Sequence, residues 1–224
     1  MNIFAVITGD IVSSASIKNE NRKQLLKSLK VSFQEINKTF LKETKSPFEI
    51  FRGDSFQAVI KKTELSLLIS LLIRAKLRSI GINKEEKKHS IKENWDARIA
   101  IGIGSIGFST KKTIESDGQA FQFSGTTLDR ITKSEHRLKI QTPWQDVNSE
   151  LEVSFSFADA IVSEWSIFQA EAFYLYLLQN ETQKTLAELL NISQPSLRKR
   201  LVTGKIESID LLRKRFENLI SSKL

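Results

Sequence analysis

The spacing of apolar and polar residues in the first third of the chain predicts a strand, a helix and a hairpin. Residues 3–7 form a short, wholly apolar run rich in β-branched side chains, the pattern of a strand buried on both faces. Residues 19–43 carry apolar side chains at three- and four-residue spacing with charges between them, as an amphipathic helix does. Residues 48–51 and 56–60 flank a turn at 52–55 and predict a β-hairpin.

A second helix and two further strands are predicted in the middle of the chain. Residues 65–80 have a helical pattern that Gly81 ends, and residues 97–103 and 138–141 have strand patterns with a short helical pattern at 127–132 between them. The order βαββαβ, followed by one more helix and strand, predicts an α+β domain of the ferredoxin-like or palm type, with helices on one face of the sheet.

From about residue 147 the whole pattern is helical. We therefore expect an α+β domain over residues 1–146, a connecting helix over 147–168 and an all-α helix-turn-helix domain over 169–224.

Residues 182–201 carry the features that a helix-turn-helix requires. Ala187 is the small residue where two helices cross, and Asn191 tolerates the positive φ of the turn. Ile192 is the apolar residue after the turn, and Ser193 can cap a second helix that tolerates Pro195 in its first turn. The side chains then left to contact DNA are Ser193, Gln194, Ser196, Arg198, Lys199 and Arg200.

The segment resembles the helix-turn-helix domains of bacterial transcription regulators. Polar and basic side chains at the start of a recognition helix are what base edges and phosphates require, so the pattern favours DNA as a partner. The alternative is a helical hairpin used for dimerisation or protein docking. Arg213, Lys214 and Arg215 either add phosphate contacts or coat a solvated face.

Two acidic residues in the first part of the chain suggest a metal or nucleotide site. Asp10 follows the first strand and Asp54 lies at the hairpin tip. In a βαββ unit these two positions are neighbours, and two adjacent carboxylates can hold Mg²⁺ ions that bind a triphosphate for phosphoryl transfer. Singly, Gly53 and Asp54 would also suit a plain hairpin turn, and Asp10 could cap a turn. Together, at one end of the same predicted sheet, they leave a metal or nucleotide site and plain turns both open.

The sequence around these acids resembles that of a known family. Ile7-Thr-Gly-Asp-Ile-Val-Ser-Ser, Phe51-Arg-Gly-Asp-Ser-Phe-Gln and a later Arg-Ile-Ala-Ile-Gly-Ile strand followed by Ser-Gly resemble the class III nucleotide cyclase catalytic domain. More closely, they resemble the SatD-like bacterial family, which joins a cyclase-type palm to a helix-turn-helix.

This resemblance implies a set of ligands. Mg²⁺ or Mn²⁺ would be bound by Asp10, the carbonyl of Ile11 and Asp54. Nucleotide contacts would come from Gly53, Arg98, Gly125 and Arg130. Cyclases usually place an Asn and an Arg one turn apart on the helix after the glycine, whereas this chain offers the adjacent pair Asp129 and Arg130. Base-selecting residues are not recognisable, so nucleotide binding has more support than turnover.

The run Gly102-Ile-Gly-Ser-Ile-Gly107 fits G-x-G-x-x-G and follows a predicted strand. A dinucleotide-binding fingerprint must open directly into an amphipathic helix, and residues 108–118 read as a polar loop. The Rossmann interpretation is therefore rejected.

The amino-acid composition limits the cellular compartment in which we expect the protein and the kinds of chemical site that it can form. The 224 residues contain no cysteine, which excludes disulfides, thiolate metal sites and a cysteine nucleophile. No leader or membrane-spanning run is recognisable, so we expect a cytoplasmic protein. The net charge of +8 favours anionic partners such as DNA or nucleotides, although a lysine-rich solvated surface would give the same value.

Three functions are compatible with these features. The first is a homodimeric DNA-binding regulator whose cyclase-like domain senses a nucleotide with Mg²⁺. The second is an active metal-dependent nucleotidyl cyclase or nucleotidyltransferase acting on ATP or GTP. The third is a pair of interaction modules without turnover.

Overall fold

The computed structural model of the protein describes residues 2–14, 19–80, 94–107, 117–179 and 181–224. The strands are β1 (Ile3–Ile11), β2 (Thr44–Arg52), β3 (Ser55–Ile60), β4 (Ala97–Ser105) and β5 (Leu138–Gln141). The helices are α1 (Asn19–Thr39), α2 (Ser66–Ser79), α3 (Gln119–Thr132), α4 (Gln145–Ser163), α5 (Ile167–Gln179), α6 (Gln183–Leu189), α7 (Gln194–Thr203) and α8 (Ile206–Ser221), and a short 3-10 helix (Thr63–Leu65) precedes α2. The predicted α+β class is confirmed.

The five strands form one sheet in the order β2-β3-β1-β4-β5. The central strand β1 is antiparallel to β3 and β4, and β5 joins the far edge parallel to β4. Strand β1 has neighbours on both sides and is buried on both faces, which explains its continuous apolar sequence. Pro47 is tolerated inside β2 because β2 is an edge strand.

Helices α1 and α2 cover one face of the sheet. The odd-numbered residues of β1 enter the main hydrophobic core there, together with the apolar stripe of α1. Phe33 of α1 packs against Phe48 and Phe56 of the hairpin, with ring centroids 4.8 and 5.1 Å apart. Helix α1 ends at Thr39 rather than at residue 43, because pairing with β3 begins at Thr44.

Helix α3 covers the opposite face, so the expectation of helices on one face only is wrong. Its contact with β4 is very close: a Cβ at Gly102 would lie 2.2 Å from the carbonyl oxygen of Ala120 and 2.4 Å from the amide of Ser124. The side chains of α3 that face the sheet are those of Ala120, Ser124, Thr127 and Ile131, and the small ones among them allow this close approach. Because several of these residues are small or polar, the apolar pattern revealed only the last turns of α3.

A buried network of charges joins α2, the residue directly before β4, and α4. Arg74 donates hydrogen bonds to both carboxylate oxygens of Asp96 at 2.9 and 2.8 Å and to Asp159 at 2.6 Å. Arg78 and Arg137 also reach Asp96, at 3.1 and 2.9 Å. These contacts satisfy charges that would otherwise be costly to bury.

The C-terminal helices share the hydrophobic core of the sheet, which extends without a break to Ile220. Trp165, between α4 and α5, donates its indole N–H to the carbonyl of Gly204 at 2.7 Å. Tyr174 of α5 donates to Glu35 of α1 at 2.7 Å. Within the described residues, none of the helices has the length and apolar character that crossing a membrane requires.

Candidate functional site

The first predicted site lies at the end of β1. Asp10 stands directly opposite Arg98 of β4 in the antiparallel register, and Arg98 Nε donates to Asp10 Oδ1 at 2.8 Å. Both side chains are partly exposed, at 18% for Asp10 and 25% for Arg98. The following residue, Ile11, is buried. The predicted ligand Asp10 and the predicted nucleotide contact Arg98 are therefore direct neighbours.

The second acid comes from the hairpin turn. Gly53 and Asp54 are the two central residues of this turn. Gly53 has a positive φ of +64° and Asp54 does not, which is the pattern of a type II′ turn, and the twist of such a turn matches the twist of the two strands. Pairing of β1 with β3 extends to Gly9 opposite Phe56, which brings this turn beside the end of β1. The sequence-based expectation that Asp10 and Asp54 are neighbours agrees with this register.

The electrostatics of Asp10 reflect both neighbours. Burial raises the pKa of the Asp10 carboxyl, while the hydrogen bond and charge of Arg98 lower it and the negative charge of Asp54 raises it. The net result is a pKa above the ordinary value. Burial is the largest of these influences on the pKa of Asp10, and the charge of Asp54 is the smallest.

Sequence reasoning missed a chain of polar side chains next to the acids. Gln57 Nε2 donates to Thr8 Oγ1 at 2.8 Å, Thr8 donates to Ser124 Oγ at 3.0 Å, and Ser124 donates to the carbonyl of Phe121 at 3.1 Å. The alternation of side chains along a strand could have indicated Thr8, because it lies two residues before Asp10 and therefore on the same face of the sheet. The contact with Ser124 depends on the packing of α3.

The donor set fits a hard divalent cation only if water or substrate completes it. Asp10, Asp54 and the Ile11 carbonyl are all oxygen donors, and Mg²⁺ is usually held through one or two carboxylates while keeping several waters. No cluster of three or more acidic, histidine or cysteine side chains suited to a metal occurs in the described ranges. A divalent cation bound by these residues would therefore need water or a phosphate group for most of its ligands.

The two remaining predicted nucleotide contacts lie on α3. A Cβ at Gly125 would meet no atom within 4 Å, so this glycine leaves open space on the helix surface. Arg130 is exposed in the last turn of α3 and lines a cavity with β5 and α4. Arg130 is not among the charges that act on the pKa of Asp10, which are those of Arg98 and Asp54.

The G-x-G-x-x-G run does not open a helix. Strand β4 continues to Ser105, and α3 begins only at Gln119. Gly102 serves the close packing of α3 instead. The predicted polar loop falls largely on residues 108–116, which lie outside the described residues.

Helices α6 and α7 have the local features predicted for residues 182–201. Asn191 adopts φ of +52° between the helices, and the Ile192 amide donates to the carbonyl of Ala187 at 3.0 Å. Ser193 caps α7 by accepting from the Ser196 amide at 3.3 Å. These two predictions, the left-handed turn residue and the cap, are confirmed.

The predicted DNA contacts differ in exposure and in the contacts that they already make, since the hydroxyls of Ser193 and Ser196 are hydrogen-bonded to each other at 2.8 Å. Four side chains near the start of α7 are exposed, namely Gln194, Ser196, Arg198 and Lys199. Arg200 is different: its guanidinium donates to Glu171 at 3.2 Å and lies 4.8 Å from the ring centre of Phe168.

The three basic residues of α8 are also engaged. Arg213 and Lys214 form ion pairs with Asp210 at 2.7 and 2.8 Å. Arg215 pairs with Glu150 of α4 through two hydrogen bonds of 2.8 and 3.0 Å. All three basic side chains of α8 are therefore paired with carboxylates of the protein.

Several solved structures resemble part of this chain. The GGEEF domain of a diguanylate cyclase from Vibrio cholerae is 13% identical with a TM-score of 0.44, over 64% of this chain and 85% of that chain. A bacterial light-regulated adenylyl cyclase is 12% identical with a TM-score of 0.38, over 62% and 74%. The guanylyl cyclase Cya2 is 12% identical with a TM-score of 0.32, over 55% and 70%.

No curated protein matches the chain. A sequence profile of the SatD family, by contrast, matches residues 4–220, which is nearly the full length of 224 residues. The protein therefore belongs to the SatD family.

Proposed function

We propose that the protein binds a nucleoside triphosphate with Mg²⁺ or Mn²⁺ at Asp10 and Asp54, and acts as a nucleotidyl cyclase or nucleotidyltransferase. The observation that supports this most is the position of Asp10 at the end of β1, with Arg98 opposite it and the hairpin turn that carries Asp54 beside it. A ferredoxin-like, cyclase-like palm formed by residues 1–146 is part of this proposal. A cation and a polyphosphate would satisfy both the acids and the arginine.

The roles of the side chains follow from their charges. Asp10, Asp54 and the Ile11 carbonyl would hold the cation, which when bound neutralises phosphate charge during in-line displacement at phosphorus. Arg98 now donates to Asp10, and it would exchange this contact for a phosphate oxygen, with which arginine forms strong charge-assisted hydrogen bonds. Thr8, held by Gln57 and Ser124, keeps the sheet face beside Asp10 ordered.

The test is thermal unfolding with and without Mg²⁺ or Mn²⁺ across the four nucleoside triphosphates. A ligand that binds only the folded state raises the melting temperature by mass action. We expect a nucleotide-specific, metal-dependent rise that Asp54→Asn abolishes and the exposed control Asp129→Asn retains. Chromatography of the same mixtures should then show a cyclic or transferred nucleotide product with pyrophosphate.

The outcomes separate binding from turnover. A metal-dependent rise without product would reduce the proposal to nucleotide sensing. No rise with any of the triphosphates, in protein that unfolds cooperatively, would refute it.

A second function, DNA binding by residues 169–224 as a helix-turn-helix domain, is supported by the exposed start of α7. Among residues that the structure describes, no carboxylate lies within ion-pair distance of Arg198 or Lys199, so both cations are free for phosphate. A homodimer would present two such helices to two half-sites, with residues 147–168 connecting them to the palm.

Fluorescence anisotropy with duplex DNA at moderate salt tests this second function. We expect Arg198→Ala with Lys199→Ala to weaken binding and to reduce its salt dependence. The exposed lysine pair Lys27→Ala with Lys30→Ala on α1 is the charge-matched control. Equal loss in both double variants would mean that only overall charge matters.

A further inference from the structure

An arginine that the sequence patterns did not single out lies beside the hairpin turn that carries Asp54. Arg22 is in the first turn of α1, and one of its guanidinium nitrogens would be 3.7 Å from a Cβ built on Gly53. Gly53 and Asp54 are neighbours in this turn. The guanidinium of Arg22 therefore reaches the same turn as the second acid of the proposed cation site.

No contact within the protein accounts for this position of Arg22. Among the side chains that the structure describes, no carboxylate lies within ion-pair distance of its guanidinium, and the side chain is half-buried. Arg98 differs, because it already donates to Asp10 at 2.8 Å. A partly desolvated guanidinium without an acidic partner gains from an added anion, with which it forms charge-assisted hydrogen bonds.

Arg22 and Arg98 lie on opposite sides of Asp10. In the strand order β2-β3-β1-β4-β5, the strand β1 that carries Asp10 lies between the hairpin and β4, which carries Arg98. Neighbouring strands lie about 4.8 Å apart, so β3 and β4 are separated by roughly 10 Å. Arg98 and Asp54 both act on the pKa of Asp10, and Arg22 is not among the charges that do, in agreement with its position on the far side of the turn.

A polyphosphate bound at this end of the sheet would bring a large negative charge. Asp10 and Asp54 add their own charges to it, and one divalent cation together with Arg98 neutralises only part of the sum. Arg22 supplies a further positive charge that is already in place beside the turn.

We propose that Arg22 binds the polyphosphate chain of the nucleotide at the end opposite to Arg98, and thereby selects triphosphates over shorter phosphates. This inference rests on the proposed cation and nucleotide site at Asp10 and Asp54. Both arginine side chains are long and partly exposed, so a triphosphate held by the cation contacts one of them at each end. A shorter phosphate does not bridge the two arginines, because they approach from sides of the site that are two strand spacings apart.

Isothermal titration calorimetry of the full chain with Mg²⁺ present tests the proposal, with inorganic tripolyphosphate and pyrophosphate as probes. These probes carry no base or ribose, so the result does not depend on which nucleotide the site prefers. We expect Arg22→Gln to weaken tripolyphosphate binding about tenfold, as for the loss of one charged hydrogen bond. Pyrophosphate binding should weaken much less, so the preference for the longer chain should fall.

Three further variants distinguish phosphate binding from other roles of the residue. Lys23→Gln removes the exposed cation next in the chain and should leave the affinity for tripolyphosphate nearly unchanged, because its charge is screened by solvent. Arg22→Lys keeps the positive charge and should recover part of the affinity. Asp54→Asn should abolish binding of both probes, since it removes a ligand of the cation. Arg22→Gln should keep the melting temperature of the free protein, because no ion pair is lost with a side chain that the structure describes.

The outcomes separate this inference from the function on which it rests. Equal binding of tripolyphosphate by Arg22→Gln and the wild-type protein, with binding still lost in Asp54→Asn, would overturn the role of Arg22 and leave the cation site standing. A loss of the same size in Lys23→Gln would also overturn it, because only net charge would then matter. A wild-type protein that binds neither probe with Mg²⁺ would refute the cation site and this inference together.

Discussion

Replacing Arg74 by methionine should destabilise the protein strongly, because the arginine is the centre of the buried charge network. Arg74 is fully buried and donates to Asp96 twice, to Asp159 and to Ser163. In the variant, Asp96 would keep Arg78 and Arg137. Asp159 would keep the Arg137 backbone amide at 2.7 Å but lose its arginine side-chain partner.

The size of the destabilisation follows from the loss of the positive charge beside Asp159. Breaking a buried ion pair by removing one partner typically costs about 3–5 kcal/mol, because the other charge stays buried. We expect a loss in this range for Arg74→Met. The double variant Arg74→Met with Asp159→Asn should recover part of it, because asparagine carries no charge and can still accept from the Arg137 amide.

Urea unfolding followed by circular dichroism measures these differences. Arg198→Met is the matched control, since Arg198 is exposed and should change the free energy of unfolding by no more than about 0.5 kcal/mol. A cost below about 1 kcal/mol for Arg74→Met would mean that the arginine is not needed to compensate the buried carboxylates. A double variant less stable than Arg74→Met alone would mean that the charge of Asp159 is not the source of the cost.

Four further changes have predicted outcomes. The pKa of Asp96 is lowered to about 2 in the folded protein. The Asp96 carboxylate therefore stabilises the protein fully above its unfolded pKa, and this stabilisation is lost as the pH falls towards 2. Asp96→Asn should flatten the dependence of the free energy of unfolding on pH in that acidic window. Asp54→Asn should lower the pKa of Asp10, measured by carboxyl ¹³C NMR, because one source of negative charge is removed; an unchanged value would mean that the two acids are not coupled. Gly102→Ala should cost several kcal/mol in urea unfolding, at least about 2, since the new Cβ meets the backbone of α3; a variant of wild-type stability would contradict that packing. Ser193→Ala should cost about 1 kcal/mol and speed amide exchange at the start of α7, whereas unaltered exchange would mean that the cap contributes nothing.

The strands and the local turn chemistry were largely predictable, because they depend on neighbours in the sequence. The apolar run at the start of the chain indicated β1, and the short strand at residues 138–141 was predicted with its observed bounds. The turn at Gly53, the left-handed residue Asn191 and the cap at Ser193 follow from backbone preferences of single residues.

The acid pair was predictable only with a topological assumption. The order of strands and helices placed the end of β1 beside the hairpin, so Asp10 and Asp54 could be predicted as neighbours from the sequence. The contact between Asp10 and Arg98 depends on the register of β1 with β4, which the sequence pattern does not specify. Thr8, Gln57 and Ser124 meet for the same reason, with α3 supplying the third residue.

Local patterns in the sequence were thus enough to predict the α+β class, most of the secondary structure and the residues available for chemistry. Which of these residues meet depends on how the helices and strands pack. Arg74, Asp96 and Asp159 lie far apart in the chain, and no local pattern pairs them, so their shared buried network could not be anticipated. Likewise, Arg200 is paired with Glu171, whereas Arg130 has no acidic partner among the described residues, and the two arginines look alike in sequence because pairing depends on side chains brought together across helices and strands.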